Sequence, residues 1–473
     1  MIAHLGAVRV RRFLTIGLAS FPTVPTLAAT LAVPGSFPTI QAALDAATDG
    51  DEILVAPGTY AEAIDFLGKR VALRAVADAP TTVIDATGIG APVVTIVDSP
   101  AGTVLERFTL RGGSGTSDGF SLRGGGLFLR DSSPTIIGCE ITGNSAVGVT
   151  PANGSGGGAF IDGGATAFVR CAFKDNIAGR SGGALYATGA SLIVSNCAFF
   201  SNTAGQGAAI YTLASDMTLV DSLVVKNEST SAGAISTNVS STATITSCTI
   251  AFNQALSTDN IASSNSLIAF SNTIIWGANA NVIASDNATL TYRACDIIGS
   301  GGSGPSWKAA LGTDLGANLD ADPRFVNPQG AFSTTDDTID NFRLFDFSPC
   351  IDAGDNALLP PDIFDLDGDS DTIEQLPLDL ALAARRVDDT GAPDTGAGVA
   401  PITDIGAIEF QGTSMFADFN GDTLINGVDL AFLLNNWGVC AIGSPCRGDL
   451  TGDGVVGAPD LAVLLKSWSP AAP

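Results

Sequence analysis

The 473-residue sequence predicts an all-β chain whose bulk is a right-handed parallel β-helix, followed by a small α-helical module at the C-terminus. Three observations carry this expectation: a row of asparagines spaced near 25 residues, a glycine row in register with it, and a duplicated Asp-rich loop before two short helices. The expected organisation is a signal segment over 1–29, the β-helix with an N-terminal capping helix over 30–300, an Asp/Gly-rich continuation over 301–411 and the helical module over 412–473.

The repeat is read directly. Asn144, Asn176, Asn202, Asn227 and Asn253 are separated by 32, 26, 25 and 26 residues. Five residues before each stand Cys139, Cys171, Cys197, Ser222 and Cys248, and two residues further on come Ile141, Phe173, Phe199, Val224 and Ile250. Gly124, Gly156, Gly182 and Gly207 each lie fifteen residues before their Cys or Ser and open a strand, where glycine reaches φ > 0 without steric cost. Coils this short bury no face alone; stacked at about 4.8 Å they close one core and set like side chains over like. The asparagines are then a structural ladder, because an unpaired buried amide costs about 1–3 kcal/mol. The cysteine row, extended by Thr273 and Cys295, is expected as buried free thiols, since parallel Cβ vectors suit disulfide torsions badly. Cys440 and Cys446 are the better disulfide candidate.

Composition narrows function. Twenty-two Lys and Arg against 48 Asp and Glu leave a net charge of −26, a surface that repels nucleic-acid phosphates and anionic lipid heads. Asp supplies nearly all the acid, which points to turns and oxygen-ligand cation sites. The one histidine, His4, falls in the expected signal segment, which excludes Ser/His/Asp triads and histidine-ligated zinc from the mature chain. That segment has Arg9, Arg11 and Arg12 before the apolar stretch Phe13–Leu18 and small residues near Ala28, so a secreted or cell-surface location is expected; Arg11 with Arg12 leaves a twin-arginine route open. No later run is long enough for a membrane span.

The stretch FPTIQAALDAATDGDEILVAPGTY places an amphipathic helix near 37–47 over the open end of the first coil. It resembles the opening of the pectinesterase and pectate lyase β-helix families, which implies a pectate-lyase-like solenoid fold. Residues 301–411 lose the period and contain ADPRFVN, NFRLFDFSPCIDAGDN and DIGAIEF. These phrases resemble choice-of-anchor Q segments, which implies surface delivery. Within them DLDGDSD carries Asp365, Asp367, Asp369 and Asp371, but twelve residues from Asp365 stands Leu376, so the run reads as a solvated acidic turn ahead of an ion site.

Near the C-terminus Asp418, Asn420, Asp422, Asn426 and Asp429 occupy positions 1, 3, 5, 9 and 12 of a loop, with the Leu424 carbonyl at 7: the oxygen donors of an EF-hand-type calcium loop. Thirty-one residues on, Asp449, Thr451, Asp453, the Val455 carbonyl and Asp460 repeat the pattern with Gly457 at position 9, so two calcium sites are expected and the second is weaker. LAFLL and LAVLL follow at helical spacing. Asp at position 12 and one helix after each loop resemble a type I dockerin. That resemblance implies docking to a cohesin. Gly427–Val428 and Ala458–Pro459 replace the family's usual recognition pairs, so a cohesin-like or other surface protein is the expected partner of 412–473.

On the solenoid, Phe128, Phe160, Tyr186 and Tyr211 all lie eleven residues before their Cys or Ser and face outward by the strand period of two. They are candidates for stacking on sugar rings, or for packing beneath a loop or the C-terminal segment. Glu140, Arg170, Lys174 and Asp175 fall near one edge of the early coils without repeating, and read as surface charge. The expected function is an exported β-helix that binds or displays toward polysaccharide and is attached through a calcium-dependent module. A polysaccharide lyase or glycoside hydrolase with its site in the coils before residue 160, and a purely structural surface protein, stay open as alternatives.

Overall fold

The computed structural model describes residues 28–473 apart from 118, 120, 149–152, 278–282, 329–337, 340–341, 412–416, 418, 420–423, 440–447, 449, 451–454, 467 and 469–473. One coil shows how the chain runs. Ala165–Val169 leads through a one-residue corner at Arg170 into Ala172–Lys174, a second corner at Asp175 into Ile177–Ala178, and the glycine turn at Gly182 into Leu185–Thr188. The next coil then begins at Ser191, which pairs in parallel with Ala165. Repetition stacks these segments into sheets of twelve, ten, nine and five strands, and the pairing between coils is parallel throughout.

Side-chain alternation fills the interior. Phe173, Phe199, Val224 and Ile250 point inward from the ten-stranded sheet, and the Phe173 and Phe199 rings stack at 4.8 Å between centroids. Gly156 has φ 69°, and a Cβ there would sit 2.4 Å from the Ala159 carbonyl oxygen, so this turn admits only glycine. At the N-terminal end helix α1, Ile40–Ala46, buries Ile40, Ala43 and Leu44 against the first coil. Its first N–H groups, on Ile40 and Gln41, donate to the Glu62 carboxylate at 2.9 and 3.0 Å. The expected signal segment lies outside the described residues except for Ala28 and Ala29, and Ala29 already donates its N–H to Asp51 at 2.7 Å.

The segment expected to continue the β-helix does so for one rung, Thr313–Asp314, in the twelve-stranded sheet. From about residue 320 it folds back along the outer wall. The outward residues Ala198, Phe200, Leu223, Val225, Ala251 and Ile274 of the ten-stranded sheet are covered by Phe325, Phe342, Leu344, Ile351, Leu380, Ile405 and Phe410. A fully buried side chain of this size contributes about 1.5–3 kcal/mol, which accounts for the return of an otherwise irregular chain to the wall. The corner residues anchor it: Asn196 donates to the Asp379 carbonyl at 3.0 Å, and Asn272 exchanges bonds with the Asp355 backbone at 3.0 and 2.8 Å.

Beyond it lie helix α2, Gly427–Asn435, and helix α3, Ala458–Lys466, with Gly438–Val439 paired antiparallel to Val455–Val456. Leu433, Leu450, Val456 and Leu464 pack with Phe419 and Ile425, and Phe345 joins them from the lateral segment. Among the described residues no helix is long and apolar enough to cross a membrane.

Candidate functional site

The polar columns inside the solenoid are structural. Asn202 Nδ2 donates to Asn227 Oδ1 at 2.9 Å and to the Phe173 carbonyl at 2.9 Å, while its Oδ1 accepts from the N–H and the Nδ2 of Asn176 at 3.1 and 3.0 Å. Asn144, Asn176 and Asn227 repeat this, and Asn253 ends the column by donating to Asn260 at 2.9 Å. In the neighbouring column Cys171 N donates to Cys197 Sγ, Cys197 N to Ser222 Oγ and Cys248 N to Thr273 Oγ1. Cys139, Cys171, Cys197, Cys248, Cys295 and Cys350 are free and buried. Burial pushes the Cys295 thiol up to about 12, so it stays protonated and unreactive. Cys440 and Cys446 lie outside the described residues.

The aromatic row is a column of rings turned face to face. Phe128–Phe160, Phe160–Tyr186 and Tyr186–Tyr211 have centroids 5.8, 5.1 and 5.2 Å apart and planes within 5°. Each inner ring, Phe160 and Tyr186, thus turns both faces to its neighbours. Phe128 and Phe160 are only 6% and 3% exposed, with the Arg130 guanidinium 5.0 Å from the Phe128 centroid and that of Arg123 5.2 Å from Phe160. The row is a packed column, of which Tyr186 and Tyr211 keep partly exposed edges. Burial raises both phenols above their ordinary value, so they present neutral hydroxyls.

The folded-back segment creates a groove the sequence did not disclose. It has a volume of about 530 Å³ and is floored by Glu140, Ala172 and Ala198 on consecutive rungs. Its sides are Arg170 and Asn196 from the corners and Ile339, Arg343 and Leu380 from the lateral segment. Of the edge residues picked out in the sequence, Glu140 and Arg170 enter this groove, whereas Lys174 pairs with Asp175 at 3.7 Å and lies 5.8 Å from the Phe200 centroid. Two guanidiniums suit an anionic group such as a sugar carboxylate. Among the lining residues Glu140 is the one carboxylate, and a pair flanking a scissile bond, as glycoside hydrolysis needs, is not among them. Arg343 and Asn196 went unnoticed in the sequence because nothing repeats around Arg343 and Asn196 reads as one more corner.

In the helical module Asp418, Asn420, Asp422, Asp449, Thr451 and Asp453 lie outside the described residues. The rest share one geometry. Asp429 is fully buried and accepts from Asn426 N at 2.8 Å and Phe419 N at 2.7 Å; Asp460, equally buried, accepts from Gly457 N at 2.7 Å. Asn426 caps α2 by accepting from Val428 N at 2.8 Å, and its Nδ2 stands 3.4 Å from the Leu424 carbonyl oxygen. Position 12 of each loop is thus drawn back onto the loop, and the described donors are all oxygens suited to a hard cation.

Residues 125–306 match the family model described as a right handed beta helix region, which fixes the hand of the solenoid. Among solved structures the chain is similar to pectate lyase Pel9A, at 13% identity and TM-score 0.43 over 81% of this chain and 97% of that one. It is also similar to the pectin methylesterase of Aspergillus niger (14%, TM-score 0.30, 63% and 87%) and to a rice weevil pectin methyl esterase (13%, TM-score 0.26, 57% and 91%). No curated protein matches the chain.

Proposed function

We propose that this chain is an exported, cell-surface or secreted β-helix protein that engages polysaccharide along its solenoid wall and attaches to a partner through a calcium-dependent, dockerin-like module. The observation that carries the reading is the matched pair Asp429 and Asp460, each buried at the start of its helix and each accepting the N–H three residues upstream. Calcium would be held by Asp418, Asn420, Asp422, Leu424, Asn426 and Asp429 in the first loop and by Asp449, Thr451, Asp453, Val455 and Asp460 in the second. It would neutralise acids that otherwise repel and order the helices for docking. The partner is a cohesin-like or other surface protein. On the solenoid the groove at Arg170 and Arg343 is the better candidate for glycan contact, and an acidic polysaccharide is the class its charge favours.

Retention of the full chain on immobilised cohesins, with calcium and with chelator, tests the attachment. Calcium-dependent capture that is lost in the Asp429→Asn, Asp460→Asn double variant supports it; no calcium response in the module contradicts it. Glycan-array binding weakened by Arg170→Gln or Arg343→Gln supports the groove, and binding indifferent to both removes it. The lyase alternative rests on Glu140 standing in that groove beside Arg170, and is tested by release of unsaturated ends from the bound glycan; reducing ends released without unsaturation would point to a hydrolase with a carboxylate pair elsewhere.

A further inference from the structure

The acidic run in the lateral segment contains two buried oxygens with no partner. Asp362 is fully buried, yet its Oδ1 has no hydrogen bond, and neither has the buried Oε1 of Glu374. One carboxylate oxygen from each lies within 4.8 Å of the other and of an oxygen of Asp367. Asp367 belongs as well to a second such group with Asp365 and Asp369. None of these five acids forms an ion pair with a described residue.

The loop is held at both ends. Leu366 and Leu376 pack on Val169 and Val220 of the solenoid wall, and Pro361 bridges Gln375. Oxygens on a calcium coordination shell of radius about 2.4 Å lie at most about 4.8 Å apart, and an all-oxygen set without His or Cys excludes zinc and copper preference. Counting from Asp365 missed this arrangement because two of its acids, Asp362 and Glu374, come from outside the alternating run.

We propose that residues 362–374 form a calcium site, with Asp362, Asp367 and Glu374 as the inner carboxylates and Asp365 and Asp369 beside them, that clamps the lateral segment to the solenoid wall. Peptide-resolved hydrogen exchange on the full chain, in chelator and in about 1 mM calcium, where extracellular oxygen-ligand sites fill, tests it. Amides of 363–373 are expected to exchange at least about tenfold more slowly with calcium, and to lose that protection in Asp367→Asn and in Glu374→Gln. Strand peptides around Phe199 report whether each variant is folded; if one is not, the other decides. Unchanged exchange over 362–376 in the parent chain overturns the proposal. So does protection retained in both variants, or confined to the other acidic group at Asp352, Asp388 and Asp394. Peptides over 424–439 report the C-terminal module separately, so the two calcium readings fail independently.

Discussion

The solenoid and the segment folded over it bury polar groups in opposite ways. In the coils each asparagine amide is satisfied by the same atom one rung away, so a single residue type at a single spacing closes every bond. In residues 320–410 no rung repeats, and burial is met by a one-off ionic cluster. Arg385, fully buried, donates to the carbonyls of Asp404 and Gly406 at 3.2 and 2.7 Å and stands 3.7 Å from Asp221 on the wall. Asp379, Asp404 and Glu409 crowd around it, their carboxylates accepting the N–H groups of Glu409, Phe410 and Asp404. Desolvation works against the Arg385 charge, and these acids with Asp221 outweigh it. Neutral repetition tolerates the loss of a member locally; a cluster built on one cation depends on that cation.

The largest effect should therefore come from Arg385→Met above about pH 8, where Asp221 and Asp404 are ionised and lose their counter-charge, and is expected there to cost about 3–5 kcal/mol in denaturant unfolding. A loss at that pH within the error of the denaturant midpoint would show that the cluster is dispensable. Asn202→Ala strands the Asn176 donors and the Phe173 carbonyl and should cost about 2–4 kcal/mol. Should it match Arg385→Met, the two modes of burial would be equally fragile.

Burial pushes Asp221 up to about 8, against the pull of Arg385, and Asp404 and Asp296 up to about 7. Each holds its proton more tightly folded than unfolded, where the value is near 3.8. Their stabilising contribution is full below that value and is lost as pH climbs through 7 and 8. Thermal stability should fall from pH 5 to pH 8, and Asp221→Asn should flatten the decline; a rise over that range contradicts the buried-acid account. The smallest effect is expected from Cys197→Ser, under about 1 kcal/mol, because Ser222 already fills the next rung with the same pair of bonds. A large loss would mean the column depends on sulfur packing.

The ladder was legible because its spacing is written in neighbouring coils: Asn144 through Asn253, the cysteine row and the glycine turns all recur within about one period of one another. The covered wall was partly legible. Ala198–Phe200, Leu223–Val225 and Thr249–Ala251 are buried on both faces, a pattern of continuous small and apolar residues that marks a strand with a second layer over it. The groove was not, since Glu140 and Arg343 meet only after the chain has reversed along the wall. The aromatic row lies between the two. Its register was plain, while the mutual stacking of the rings, with planes within 5°, is not encoded in the spacing.

Sequence alone determined the coil, its corners and its stacked columns, because a short period forces each residue to meet its own counterpart at a fixed rise. Tertiary structure alone decided where residues 320–410 lie, which acids lose contact with water and which of them converge. Those outcomes depend on contacts such as Arg170 with Leu366 and Ala407 with Thr249, 196 and 158 residues apart, and no local pattern constrains pairings at that separation.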